Sequence, residues 1–154
     1  MEDENINLLG FHSHIGSQVK NLDFFKEEAK IMADFTKNMQ EKFMVNFSHL
    51  NLEGGFGCKE NFDDKDLDLE NILKDLIIFM ENLFEKNKLE VKNLSIEPGR
   101  SLISKAGSIL YRIGSQKKTL KGYPLIFVDG EMTDNIRPSL YGAKYSAIIA
   151  NKLD

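Results

Sequence analysis

The stretch from Ile96 to Arg100 constrains the fold of this chain more than any other. An apolar run ends at Ile96, and a carboxylate, Glu97, a Pro-Gly turn and Arg100 follow at once. A strand that ends in this way places one anion and one cation at the edge of a sheet, where α/β folds bind their ligands. Taken alone, the stretch is also compatible with a surface turn that carries a salt-bridging pair.

Two strand–helix units precede this stretch. Residues 6–14, 46–52 and 92–96 are predicted to be strands, and apolar residues between them recur at helical spacing. Asp23 is a candidate N-cap for the first helix. The order strand, helix, strand, helix, strand predicts a parallel sheet, and a (β/α) barrel places all three strand ends on one rim. The recurring apolar positions are Phe25, Ala29, Met32, Phe35, Met39 and Phe43 in the first helix and Leu69, Ile72, Leu73, Leu76, Met80 and Leu83 in the second.

The pattern changes after Arg100. Residues 108–115 and 125–129 have the composition of β-strands, glycines punctuate them, and no helix of normal length separates them. This predicts antiparallel pairing in a second, β-rich domain. We therefore expect a partial barrel over residues 1–104 and the start of a β-rich domain over residues 105–154.

Composition narrows the possible functions. The 154 residues include 42% apolar residues, which is enough for a core, and the net charge of −4 offers no basic face to nucleic acid. The single cysteine, Cys58, excludes an internal disulfide and offers no metal cluster. Neither a signal peptide nor an apolar run of membrane-spanning length, ~20 residues, is visible. We expect a soluble cytoplasmic protein that binds no metal, nucleic acid or membrane.

Two of the strand ends offer groups suited to a phosphate and a flat ring. The glycines after the second strand, Gly54, Gly55 and Gly57, let backbone N–H groups approach an oxyanion, and Ser17 can add a hydroxyl. A tight turn is the simpler explanation of these glycines. His14, at the first strand end, can stack on a flat ring or transfer protons, or it can be a hydrogen-bonded core residue.

The third strand end completes a set of groups that suits one cofactor. Glu97 can pair with a protonated ring nitrogen, and Arg100 can pair with a phosphate or a carboxylate. Phosphate, flat ring and ring nitrogen together describe pyridoxal phosphate, whose pyridinium acts as an electron sink.

Four ordered motifs resemble those of the diaminopimelate decarboxylases. These enzymes belong to the pyridoxal-phosphate family that includes ornithine and arginine decarboxylases and shares its barrel with alanine racemase. The resemblance covers essentially the whole chain. Its motifs are Gly10-Phe11-His12-Ser13-His14-Ile15-Gly16-Ser17-Gln18, Asn51-Leu52-Glu53-Gly54-Gly55-Phe56-Gly57, Glu97-Pro98-Gly99-Arg100-Ser101 and residues 128–143.

The resemblance implies a role for each site residue. His14 is implied as the catalytic residue that stacks on the cofactor ring, and Glu97 as the partner of the ring nitrogen. The implied cofactor-binding positions are His14, Ser17, Gly54, Gly55, Gly57, Glu97, Pro98, Gly99 and Arg100. The implied substrate-binding positions are Arg100, Arg137 and Tyr141.

The resemblance also implies a substrate and an assembly. Arg137 and Tyr141 lie in residues 134–141, which are predicted to be a loop, and the arginine suits a second carboxylate. This favours decarboxylation of meso-2,6-diaminopimelate to L-lysine. The resemblance also implies a homodimer for the full-length enzyme. The alternatives are a sister decarboxylase of the ornithine, arginine or carboxynorspermidine type, and a truncated non-catalytic relative.

Several family features have no counterpart in the sequence. No lysine here stands in the family's Schiff-base motif, and Cys58 does not stand in its catalytic cysteine motif. We therefore expect an internal fragment, comprising the last three β/α units of the barrel and the opening of the β domain, that is inactive alone. Glu53 and Glu131 stand where glycine is usual. The Glu53 carboxylate, beside the glycine loop, repels the cofactor phosphate unless it points away. Glu131 costs about 1 kcal/mol if the glycine that it replaces has a positive φ.

Overall fold

The computed structural model describes residues 5–152 and divides them into two compact units. Unit 1 comprises the described residues up to Lys59 together with Lys65–Ser104. Unit 2 comprises Glu60–Asp64 together with the described residues from Lys105 onward.

Unit 1 is a three-stranded parallel sheet covered by two long helices. The strand order β1-β2-β3 follows the order along the chain, and both pairs are parallel, as the sequence predicts. The strands are shorter than predicted, because only three residues of each strand pair with a neighbouring strand. The elements of unit 1 are β1 (Gly10–His12), α1 (Leu22–Phe43), β2 (His49–Asn51), α2 (Leu69–Asn87), β3 (Asn93–Ser95) and the short α3 (Arg100–Ile103).

The core of unit 1 lies between the sheet and the two helices. Phe25, Leu50 and Met80 are fully buried there, each from a different element. Two predicted helix positions, Phe35 and Phe43, remain 42% and 48% exposed. Phe35 is only partly exposed because its ring packs edge-on against Phe11 of β1, with the ring centroids 4.9 Å apart. Phe43 is the last residue of α1, and a 22-residue helix of about 33 Å extends beyond a three-residue strand of about 10 Å.

The first helix begins at a different cap from the predicted one. The Asn21 side chain accepts a hydrogen bond of 2.9 Å from the backbone N–H of Asp23, and Leu22 is the first helical residue. Asp23 therefore lies inside the first turn, where its charge complements the helix dipole. In α2, the Asp68 side chain caps the helix by accepting from the backbone N–H of Asn71.

Unit 2 contains an antiparallel ribbon and a short helix. Strands β4 (Ile113–Lys118) and β5 (Pro124–Val128) pair antiparallel, which confirms the predicted direction. The predicted loop 134–141 is wrong in part, because Arg137–Tyr141 forms a helix, α4. Pro138 stands in its first turn, where a missing N–H costs no helical hydrogen bond.

None of the helices in the described part of the chain is long and apolar enough to cross a membrane.

Candidate functional site

The register of the sheet aligns the three predicted strand ends. His12, Asn51 and Ser95 are partners across the ladder, so the residues two positions further along are His14, Glu53 and Glu97. The alignment continues past the strands, because the N–H of Glu97 donates to the carbonyl of Glu53 over 2.7 Å. The expectation that these ends share one rim is confirmed.

The alternation along each strand separates the core from this rim. Phe11, Leu50 and Leu94 are in register and pack in or against the hydrophobic core. Side chains alternate between the faces of a sheet, so His12 and Asn51 lie on the opposite face, which the two helices do not cover. The side chains of His12 and Asn51 therefore lie on the face opposite the core, whereas the Ser13 hydroxyl bonds to Glu28 of α1.

The glycine loop after β2 meets the loop after β1 through backbone hydrogen bonds. The N–H of Val19 donates to the carbonyl of Gly55 over 2.9 Å, and the N–H of Gly57 donates to the carbonyl of Val19 over 2.7 Å. A Cβ added at Gly55 would collide with the carbonyl oxygen of Gly16, and one at Gly54 with that of Glu97. Only glycine allows the backbone of residues 54 and 55 to lie this close to the neighbouring carbonyls. Gly55 also has a φ of 71°, which residues with a Cβ rarely adopt.

A side-chain clamp holds the same two loops together. The side-chain oxygen of Gln18, Oε1, accepts a hydrogen bond of 2.8 Å from the backbone N–H of Cys58. The side-chain nitrogen of Gln18, Nε2, donates to the backbone carbonyl of Cys58 over 3.4 Å. Cys58 itself is buried. Ser17, beside Gln18, lies in an exposed bend next to the glycine loop.

The His14 ring contacts the carboxylate of Glu53, the residue that stands where glycine is usual. Its Nδ1 contacts the Glu53 carboxylate, and its Cε1 lies 3.9 Å from the position a Cβ on Gly55 would take. Glu53 has a φ of 48°, a left-handed backbone conformation that favours glycine. Its N–H is held by the Asn51 side-chain oxygen at 2.8 Å. The carboxylate therefore points to the imidazole.

Asn51 links the second strand end to the third. Its amide nitrogen lies 2.5 Å from the Glu97 carboxylate, which fixes the orientation of that group. Gly99 is the N-cap of α3, and Arg100 is its first residue. Pro98 and Gly99 therefore lie between Glu97 and the first turn of α3.

A buried glutamate lies behind the first strand end. Glu28 of α1 is only 4% exposed and accepts a hydrogen bond of 2.6 Å from the Ser13 hydroxyl. Burial raises the pKa of Glu28, while the Ser13 hydroxyl and the charges of His14 and His12 oppose this rise. The residue that precedes His14 is therefore tied to the helix layer.

The proposed substrate arginine is engaged inside unit 2. Nη1 of Arg137 donates to Glu60 Oε1 over 2.6 Å and lies 2.7 Å from the Tyr145 hydroxyl. The hydrogen bond with Glu60 is the main cause of a raised pKa of Arg137. Tyr141, one helical turn away, is 74% exposed.

Three residues have structural roles that the sequence pattern did not assign. Asn51 opens the second motif without an implied role, Glu28 has the pattern of an exposed helix position, and Glu60 lies 77 positions from its partner, Arg137. Glu131, by contrast, is not among the residues with positive φ, so the cost considered for it does not arise. No group of three or more metal-binding side chains occurs in the described range.

Fold and rim together define a class: parallel β/α units that present a glycine loop, a histidine and a carboxylate at the carboxyl ends of the strands. The profile of the family described as "Pyridoxal-dependent decarboxylase, pyridoxal binding domain" matches residues 1–104. The chain belongs to this family, whose cofactor is pyridoxal phosphate.

Similar proteins carry consistent names. The chain is 37% identical over 147 residues to a diaminopimelate decarboxylase of Bacillus methanolicus, covering 96% of this chain and 34% of that protein. It is 35% identical over 151 residues to one of Methanocaldococcus jannaschii, covering 96% and 33%. The chain thus spans about a third of the length of the curated relatives it matches.

Solved structures agree on the fold. The structure of M. jannaschii diaminopimelate decarboxylase in complex with L-lysine has a TM-score of 0.76 at 31% identity, over 88% of this chain and 30% of that one. A lysine/ornithine decarboxylase of Vibrio vulnificus complexed with cadaverine has a TM-score of 0.74 at 20% identity, over 92% of this chain and 36% of that one, which shows the fold alone.

Proposed function

We propose that this chain supplies part of the active site of a decarboxylase that converts meso-2,6-diaminopimelate to L-lysine with pyridoxal phosphate. The observation that carries the proposal is the aligned rim of His14, the glycine loop and Glu97. The names of the relatives support the same reaction, and the family supports the cofactor. A sister amino-acid decarboxylase and a non-catalytic relative are the alternatives.

The residues at the rim fit the cofactor. Gly54, Gly55 and Gly57, with Ser17 beside them, would hold the phosphate through backbone N–H groups. A side chain at Gly55 would collide with the Gly16 carbonyl and disturb the packing of this loop against the loop after β1. His14 would stack on the ring, and Glu97, oriented by Asn51, would hold the ring nitrogen. Pro98, Gly99 and Arg100 would complete the lining.

Each side chain would have a limited task. Pyridoxal phosphate, when bound, supplies the electron sink that makes loss of carbon dioxide possible. The Glu97 carboxylate would keep a proton on the ring nitrogen, which strengthens that sink. Arg137 and Tyr141 would bind the distal carboxylate of the substrate through charge-assisted hydrogen bonds. Arg100 would contact the phosphate or the substrate.

The larger assembly also belongs to the proposal. Residues 1–104 would form the last three β/α units of an eight-unit barrel, and residues 105–154 the start of the β-rich domain. A homodimer and a cytoplasmic location stay predictions. The 154 residues alone are expected to be inactive, because none of their lysines stands in the family's Schiff-base motif.

A chimera tests the proposed reaction. In the B. methanolicus relative, residues 1–154 would replace the matched region, and decarboxylation of diaminopimelate would be measured. We expect Arg137→Ala to lower kcat/KM by about 100-fold, because a lost charge-assisted pair in a closed site costs about 3 kcal/mol. The absorbance of bound pyridoxal phosphate should be the same in the Arg137→Ala chimera as in the parent chimera. Arg112→Ala, which removes an exposed charge, should leave kcat/KM within a few-fold.

Two outcomes of the chimera experiment contradict the proposal. A chimera that takes up cofactor but decarboxylates no diaminopimelate would refute the reaction. If Arg137→Ala lowers the melting temperature while kcat/KM stays within a few-fold of the parent, the arginine only pins its surroundings.

A further inference from the structure

Arg137 already holds a carboxylate, and that carboxylate belongs to the chain itself. Nη1 of Arg137 donates to Glu60 Oε1 over 2.6 Å, and the two side chains are 26% and 20% exposed. At this distance and burial, the pair is a charge-assisted hydrogen bond with limited solvent screening. The Tyr145 hydroxyl, 2.7 Å from the same nitrogen, completes the arrangement.

The segment that carries Glu60 is itself held in place. The backbone N–H of Glu60 donates to the Asp64 carboxylate over 3.0 Å, which closes a short turn. Two residues after Glu60, the N–H of Phe62 donates to the Ser146 hydroxyl over 2.8 Å. The Glu60 carboxylate is therefore presented to Arg137 by an ordered turn, and its position is not that of a freely rotating surface side chain.

We propose that Glu60 controls which ligands reach Arg137, by acting as an internal carboxylate at the position where a ligand carboxylate would bind. This inference rests on the proposed role of Arg137 in binding a substrate carboxylate. An incoming carboxylate must displace Glu60 or share the guanidinium with it, and sharing brings two like charges together. Glu60 thereby weakens the binding of ligands that offer a carboxylate alone.

The size of the effect follows from the bond that must be broken. A hydrogen bond between charged groups is worth more than a neutral one, and Glu60→Gln replaces the anion by a neutral amide of the same shape. We expect Glu60→Gln to bind a dicarboxylate at least about tenfold more tightly than the parent chain. Glu60→Asp, which keeps the charge on a shorter side chain, should bind it less tightly than Glu60→Gln does.

The experiment titrates the 154-residue chain with pimelate, a seven-carbon dicarboxylate without amino groups. Binding is followed through the Nε–Hε signal of Arg137 in ¹⁵N NMR spectra, and the signal is assigned by its loss in Arg137→Lys. Glu131→Gln is the matched control, because it removes one exposed carboxylate of unit 2 that is not bonded to Arg137. Backbone amide spectra report whether each variant remains folded.

The results separate this inference from the proposed function. Tighter binding by Glu60→Gln than by the parent and Glu131→Gln, lost again in the double variant with Arg137→Lys, supports the inference. If the parent and Glu60→Gln bind pimelate equally at Arg137, the inference is refuted while a carboxylate site at Arg137 stands. If no variant shifts the Arg137 signal, the carboxylate role of Arg137 fails, and the inference fails with it.

Discussion

Glu53 adopts a backbone conformation that suits glycine, and its carboxylate contacts His14. Its φ of 48° carries a steric cost of about 1 kcal/mol for a residue with a Cβ. Met44, the C-cap of α1, has a φ of 54° and a side chain that is 86% exposed, so Met44→Gly measures the backbone effect alone. We expect Met44→Gly to raise the free energy of unfolding by up to about 1 kcal/mol, measured by urea denaturation.

Glu53→Gly is expected to stabilise the chain less than Met44→Gly does. The same backbone relief is offset by loss of the contact between Glu53 and His14. If Glu53→Gly stabilises as much as Met44→Gly or more, that contact contributes nothing to stability. The difference between the two variants therefore measures the contact.

Glu28 should make stability depend on pH in a specific direction. Burial raises the pKa of Glu28 in the folded chain, so between its ordinary value and the raised value the folded state binds more protons than the unfolded one. The contribution of Glu28 therefore falls as pH rises through this window. Glu28→Gln keeps an acceptor for the Ser13 hydroxyl but cannot ionise, so it should match the parent in acid and exceed its melting temperature at neutral pH.

Thermal melts between mildly acidic and neutral pH check this expectation. Glu41→Gln changes an exposed carboxylate on the same helix and serves as the control for charge alone. A gap between Glu28→Gln and the parent that is constant with pH, or that reverses sign, would show that Glu28 does not titrate as described.

At the scale of the element, the N-cap of α1 is Asn21, whereas the sequence predicted Asp23. Asn21→Ala removes the side-chain acceptor for the N–H of Asp23 and should cost about 1 kcal/mol in urea denaturation. Asp23→Ala leaves that hydrogen bond in place and removes only a charge near the helix N-terminus, so it should cost less. The reverse ranking would make Asp23 the effective cap.

The same scale shows how much the sequence could predict. Long amphipathic patterns identified α1 and α2, and three apolar runs ending in polar groups identified the parallel sheet. The helix at Arg137–Tyr141 was missed because it is five residues long and starts beside a proline. The partner of Arg137 was missed because it is 77 positions away, and no local pattern reports such a pairing.

At the scale of the whole molecule, the sheet of unit 1 leaves two strands paired on one side only. Within residues 5–152, β1 and β3 each pair with β2 alone, and Ile31 of α1 and Ile78 of α2 are 58% and 57% exposed. Unpaired edges and apolar helix faces promote association. We expect sedimentation velocity to show association that increases with concentration. A monodisperse monomer with a cooperative, high-temperature melt would contradict this expectation.

The central claim is that the rim of unit 1 holds the phosphate and ring of the cofactor. Pyridoxine 5′-phosphate tests it most directly, because it lacks the aldehyde that reacts with surface lysines. Equilibrium titration of the 154-residue chain, followed by ³¹P NMR, should give saturable binding of one equivalent, with pyridoxine as the control without phosphate.

Two glycine variants locate the binding. Gly55→Ala places a methyl group against the Gly16 carbonyl and should weaken binding at least about tenfold, whereas Gly122→Ala strains a similar backbone with open space around it and should bind like the parent. Equal binding by the parent and a folded Gly55→Ala, or no saturable binding by the parent, would contradict the account.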